Sequence, residues 1–109
     1  MAGKQQQLVT AFVYDKRGML LATGQNSYTR THTLMYKAGA SVGKPGAIYL
    51  HAEVAALIKI KDWTRAHRIF VTRYTKDGKP ALAKPCAICS KIIGQTAIRE
   101  IEYTTGEPT

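Results

Sequence analysis

Two hydrophobic periods alternate along the second half of the chain, and that alternation limits the folds open to it. Arg68-Ile69-Phe70-Val71-Thr72-Arg73-Tyr74 is rich in β-branched and aromatic residues and reads as a strand. Before it, Leu50, Val54, Leu57 and Ile58 recur at i, i+4, i+7 and i+8, one apolar stripe that predicts a helix over residues 50–63. After it, Pro85 introduces a second helix, predicted over roughly residues 86–96, with Ile88, Cys89, Ile92 and Ile93 on or near one face. Residues 98–103 read as a last strand. Strands that alternate with helices imply crossover units on a shared sheet, an α/β class.

The first half supplies a hairpin. Residues 8–14 read as a strand, Asp15-Lys16-Arg17-Gly18 as a turn and residues 19–23 as the returning strand. A short helix fits around residues 34–40, although Gly39, Gly43, Pro45 and Gly46 favour loop across much of 27–47. Lys76-Asp77-Gly78-Lys79 carries the Asp-Gly signal of a tight turn. The expected order is β-β-(short α)-α-β-α-β, in one domain spanning residues 1–109.

Charge adds a second constraint. The 109 residues carry a formal charge of +9, and 45% of them are hydrophobic. That apolar share argues against a disordered basic tail. Residues 59–91 hold nine basic and two acidic side chains, whereas residues 92–109 are net −2. A segment this basic attracts phosphates and polyanions, although a merely solvated face has the same composition. No apolar run approaches the ~20 residues of a membrane span. Residues 1–7 are polar, without the apolar core of a signal peptide, so the cytoplasm is the expected compartment.

The two cysteines, Cys86 and Cys89, form C-x-x-C. A redox pair, half of a metal site and two buried apolar residues all fit that spacing. A thioredoxin-like motif places proline between its cysteines, whereas here Pro85 precedes them. A four-cysteine ribbon is impossible with two cysteines. If a metal is held, the further protein ligand is a histidine, from His32, His51 or His67. His51-Ala52-Glu53 and Pro85-Cys86-Ala87-Ile88-Cys89 each open a predicted helix, where free N–H groups favour thiolate. Two cysteines and one histidine would leave a fourth tetrahedral position for water, and a neighbouring carboxylate could take its proton. A lone H-x-E is more often an ordinary helix start, and C-x-x-C alone is more often packing. Their conjunction, with a strand between, has no ready structural explanation.

That conjunction resembles the zinc-dependent cytidine/deoxycytidylate deaminase superfamily, whose signature is H-x-E…P-C-x-x-C. The resemblance covers most of the chain and is close to small phage-encoded members around Asn26-Ser27-Tyr28-Thr29 and His51. It implies a three-layer α/β/α domain with a mixed sheet and an antiparallel first hairpin. It implies Zn2+ held by His51, Cys86 and Cys89, and Glu53 as the catalytic proton shuttle. Water activated at the metal would attack C4 of cytosine, with Glu53 passing protons to N3 and then to the leaving amine, releasing ammonia and the uracil form. Asn26, Ala52 and Pro85 occupy its substrate-contact positions, with the backbone N–H of Ala52 near the pyrimidine carbonyl. Trp63, His32 and His67 match no motif position; Trp63 is expected to pack at a helix end. Family members often continue past the last strand, so the chain reads as a minimal core lacking the C-terminal extension. A lid over the base would then come from residues 27–47, Tyr74, Tyr103 or another subunit.

Three functions compete. The favoured one is deamination of a free cytosine nucleoside or nucleotide, with Arg30, Arg73 or Lys84 meeting any phosphate. The second is deamination of cytosine or adenine within single-stranded DNA or RNA, with Tyr28, Tyr36, Tyr49, Trp63 and Tyr74 available for stacking. The third is a zinc-stabilised binding module without catalysis. A short chain with an open site is also expected to assemble with copies of itself.

Overall fold

The computed structural model describes residues 8–27, 30–43 and 50–106. The β-branched first segment forms β1 (Leu8–Tyr14), and Asp15 shapes the turn after it by accepting from the N–H groups of Arg17 and Met19, both at 2.9 Å. Gly18 completes the turn at φ 88°, a conformation that costs glycine little. The return strand, β2 (Leu20–Gln25), runs two residues beyond its expected end. Val13 faces Ala22 and Tyr14 faces Leu20, so Leu21 is an extra residue that bulges and packs against the core.

Four strands form one mixed sheet in the order β2-β1-β3-β4. β3 (Arg68–Tyr74) pairs antiparallel with β1 and parallel with β4 (Glu100–Tyr103). α1 (Thr33–Ser41), α2 (Ala52–Leu57) and α3 (Ala87–Ile93) complete the elements, with α3 as the crossover from β3 to β4. This mixed sheet backed by helices is the cytidine-deaminase-like α/β architecture.

Strand alternation decides which face holds the core. Ala11, Val13, Ile69 and Val71 point to one face and are fully buried. They join Met35 and Ala38 of α1, all of α2 except Glu53, and Ile88, Cys89, Ile92 and Ile93 of α3 in a single cluster. All three helices therefore lie on this face, among the described residues. The opposite face carries Thr10, Phe12 and Tyr14 beside Thr72, Phe70 and Arg68. There Phe12 and Phe70 stack at 6.3 Å, and Arg68 lies over the Tyr14 ring.

All six residues of α2 are buried. Gly24 of β2 makes room for it: a side chain there would collide with the backbone of Ala52, Ala55 and Ala56. The small residues of α2 and Gly24 thus bring two backbones into close contact.

The helix predicted over 50–63 ends at Leu57. Lys59 and Ile60 donate to Ala56 and Leu57, three residues back, tightening the last turn. The Trp63 indole also donates to the Leu57 carbonyl, at 2.8 Å, beyond the end of the helix. Trp63 does pack at a helix end, but as the start of a 3-10 turn (Trp63–Arg65) that Asp62 caps through the Thr64 N–H. Lys59 and Lys61 therefore follow α2 rather than forming its last turn. The predicted second helix is shorter too, running over α3 with Cys86 just outside it.

Candidate active site

His51 and Cys86 are both N-cap residues. His51 has φ −84°, ψ 159° and Cys86 has φ −74°, ψ 176°, extended backbone immediately before α2 and α3. This resolves a difficulty in H-x-E. Within a helix, residues two apart point roughly 200° apart. With His51 outside the helix and Glu53 inside it, both side chains reach the same place. Cys89 lies one turn into α3, on the side facing Cys86. α2 and α3 thus meet with their starts together.

The metal-ligating atoms converge. His51 Nδ1 lies 3.3 Å from Cys89 Sγ and 3.6 Å from Cys86 Sγ. The three ligand atoms all fall within 4.8 Å of one another. A tetrahedral ion with Zn–S of about 2.3 Å and Zn–N of about 2.0 Å sets N···S edges of roughly 3.5 Å. The observed spacings fit that figure. His32 and His67 stand elsewhere: His32 Nδ1 accepts the Leu34 N–H at the start of α1, and His67 sits 3.6 Å from the Glu100 carboxylate. Of the three candidate histidines, His51 alone joins the thiols.

The electrostatics of the group suit a cation. The Cys86 thiol is drawn down to about 3, chiefly because the Cys89 thiol donates a hydrogen bond to it and His51 adds another. Cys89 moves upward for the complementary reason, reinforced by burial. The hydrogen bond with Cys86 raises His51. Burial strips water from the carboxyl of Glu53, a residue that is 6% exposed, and pushes its pKa up. A buried carboxyl that holds a proton readily, beside two thiols and an imidazole, suits proton transfer at a metal.

Above these residues opens a cleft of about 420 Å³, lined by His51, Ala52, Glu53 and Cys86 together with Asn26. Asn26 is held in register by Val9: its N–H donates to the Val9 carbonyl at 3.1 Å, and its Oδ1 accepts the Val9 N–H at 3.1 Å. The sequence placed Asn26 after β2 but did not show that Val9 fixes it. Ala52 is fully buried at the cleft floor. Pro85 is buried behind Cys86, where its carbonyl accepts from the Ser90 hydroxyl, and it does not line the cleft. Val9, Ser27, Leu50, Leu82 and Ala83 also line it, with Arg73 and Lys84. Leu50 and Ala83 border the two motifs and were in that sense findable; Val9 arrives only through strand pairing. Tyr28 and Tyr49 lie outside the described residues, as do parts of the 27–47 lid segment.

A family model for the cytidine and deoxycytidylate deaminase zinc-binding region matches residues 2–105. The chain belongs to that family, and its His51/Cys86/Cys89 group fits a zinc site. No curated protein and no solved structure gives a significant match. No helix among the described residues is long and apolar enough to cross a membrane.

Proposed function

We propose that this protein is a zinc-dependent hydrolase that converts a free cytosine nucleoside or nucleotide to its uracil form. The observation that carries the reading is the buried Glu53 carboxyl beside the His51, Cys86 and Cys89 ligand atoms, at the floor of an open cleft. His51, Cys86 and Cys89 hold the metal. Zinc held there would supply Lewis acidity and lower the pKa of a water toward about 7.

Glu53 does the proton work. Its carboxylate takes a proton from the attacking water and gives it to ring N3, then moves the remaining proton of that water, from the hydroxyl now on C4, to the amine as the C4–N bond breaks and ammonia leaves. Burial keeps that proton on Glu53 between steps, because bulk water has little access to it. The Ala52 N–H faces the pyrimidine carbonyl, and the Asn26 side chain bonds the sugar or base. Pro85 orients Cys86 from behind the cleft and completes the contact set at one remove. The protein works in the cytoplasm and assembles with copies of itself, which helps to close the cleft.

A second reading rests on a neighbouring groove of about 510 Å³, which shares Asn26, Ser27 and Leu50 with the cleft and extends to Arg30 and Lys59. A groove that passes the site and carries cations also suits a single strand with its target base turned inward. The test is ammonia release from cytidine, deoxycytidine, CMP, dCMP, dCTP, and cytosine- or adenine-containing oligonucleotides. Turnover of a free cytosine compound supports the first reading, turnover of oligonucleotides alone selects the second, and no ammonia from any substrate removes both.

A further inference from the structure

We propose that Arg73 and Lys84 bind a phosphate ester carried by the substrate, and that Arg73 sets the preference for phosphorylated over unphosphorylated cytosine compounds. This deepens the deaminase reading and rests on it for the identity of the base.

The two cations line the same cleft as His51, Glu53 and Cys86. Arg73 reaches it through register. It pairs with Val9 across β1 and β3, and both residues lie on the helix-covered side of the sheet. Lys84 reaches it through the chain, two residues before Cys86.

The Arg73 segment is braced. The Arg73 N–H donates to Thr104 Oγ1 at 3.0 Å, and that hydroxyl donates to the Ala81 carbonyl at 2.7 Å. The Ala81 N–H returns to the Arg73 carbonyl at 2.8 Å, and the Ala83 N–H donates to the Thr104 carbonyl at 2.9 Å. The Arg73 guanidinium itself donates to the Leu82 carbonyl at 3.3 Å. Behind this, the turn at Thr75–Lys79 closes with Gly78 at φ 83°. Residues 73–84 therefore form a fixed loop rather than a loose basic tail, and a guanidinium held this way loses little freedom on binding.

Charge supplies the class of ligand. Among the described residues, Glu53 is the one acidic residue lining the cleft, and it is buried. The lining also carries these two positive groups. A neutral nucleoside offers them nothing, whereas a phosphate accepts both the fork of Arg73 and the point charge of Lys84. A terminal phosphate of a free nucleotide and a bridging phosphate of a strand share this chemistry.

The experiment titrates the zinc-loaded protein with dUMP, deoxyuridine, and a short single-stranded oligonucleotide containing one dU, with inorganic phosphate as competitor. These are product-like ligands and are not turned over. We expect dUMP to bind at least roughly tenfold tighter than deoxyuridine, and inorganic phosphate to reduce that advantage. Arg73→Gln should bring the ratio near one while leaving deoxyuridine affinity unchanged, Arg73→Lys should restore part of it, and the exposed Lys84→Gln should lower it less. An Arg73-dependent gain seen only with the oligonucleotide would assign the phosphate to a strand. Affinities near that of deoxyuridine for both dUMP and the oligonucleotide in the unaltered protein, an equal loss for all ligands in Arg73→Gln, or no binding of any ligand would overturn the proposal. The ratio is independent of turnover. A preserved ratio without ammonia release would remove the deaminase reading and leave the phosphate site standing.

Discussion

The two faces of the sheet come from the same four strands yet carry different kinds of residue. On the helix-covered face, Ala11, Val13, Ile69 and Val71 are fully buried, and the small residues Gly24, Ala52, Ala55 and Ala56 let α2 approach closely. On the other face, Phe12, Tyr14 and Phe70 are half-buried, and their polar neighbours pair locally: Arg68 with Glu102 at 2.6 Å, and His67 with Glu100 at 3.6 Å. The candidate site residues His51, Glu53, Cys86 and Cys89 sit on the first face. Close backbone packing fixes where the starts of α2 and α3 fall, and so where His51, Glu53, Cys86 and Cys89 meet. The second face tolerates large, partly wetted side chains because nothing there must be placed to within a fraction of an ångström.

That contrast orders the expected effects of change. The largest belongs to the ligand group. Cys89→Ser should abolish zinc binding and activity and lower the melting temperature, since metal binding contributes to folding; a chelator should reproduce the loss of activity in the unaltered protein. Metal content by elemental analysis, beside a thermal melt, checks both. Gly24→Ala comes next, because its methyl group meets backbone in α2 rather than a yielding side chain. We expect destabilisation of about 3 kcal/mol by denaturant titration, with activity falling as α2 shifts. A loss below about 1 kcal/mol would mean that the close approach does not position the site.

Neighbouring positions on one strand then compare the faces directly. Ile69→Ala, in the core, should cost about 3 kcal/mol. Phe70→Leu, one residue on and facing outward, should cost about 1 kcal/mol, mostly from the lost stacking with Phe12. Equal costs would show that the outer face is covered in solution. The smallest effect is expected for Arg68→Met. Its pair with Glu102 is exposed enough that removal should change stability by less than about 1 kcal/mol, and activity not at all.

Much of this was legible in the sequence where the signal is local. H-A-E and P-C-A-I-C together carry the family resemblance that implies the four central side chains, and β1, β3 and the Asp-Gly turn follow from composition within a few residues. The extent of α2 was not legible. Ile60 and Trp63 continue the apolar pattern, but they reach the core through a tight turn and a 3-10 turn, and the Trp63 indole bonds the Leu57 carbonyl from six residues away. Register was not legible either. Only the pairing of Val9 with Arg73, and the double hydrogen bond between Val9 and Asn26, bring those residues to the cleft. No spacing along the chain encodes a contact made across a sheet.

The central claim is that Glu53 moves protons beside a zinc held by His51, Cys86 and Cys89. It is tested most directly by measuring zinc content and ammonia release together for the unaltered protein and for Glu53→Gln. The account predicts one zinc per chain in both, with deamination of a cytosine substrate by the unaltered protein reduced by about 10²–10⁴ in Glu53→Gln. Equal zinc content with equal rates in the two proteins, or a zinc-loaded unaltered protein that releases no ammonia from any cytosine substrate, would contradict it.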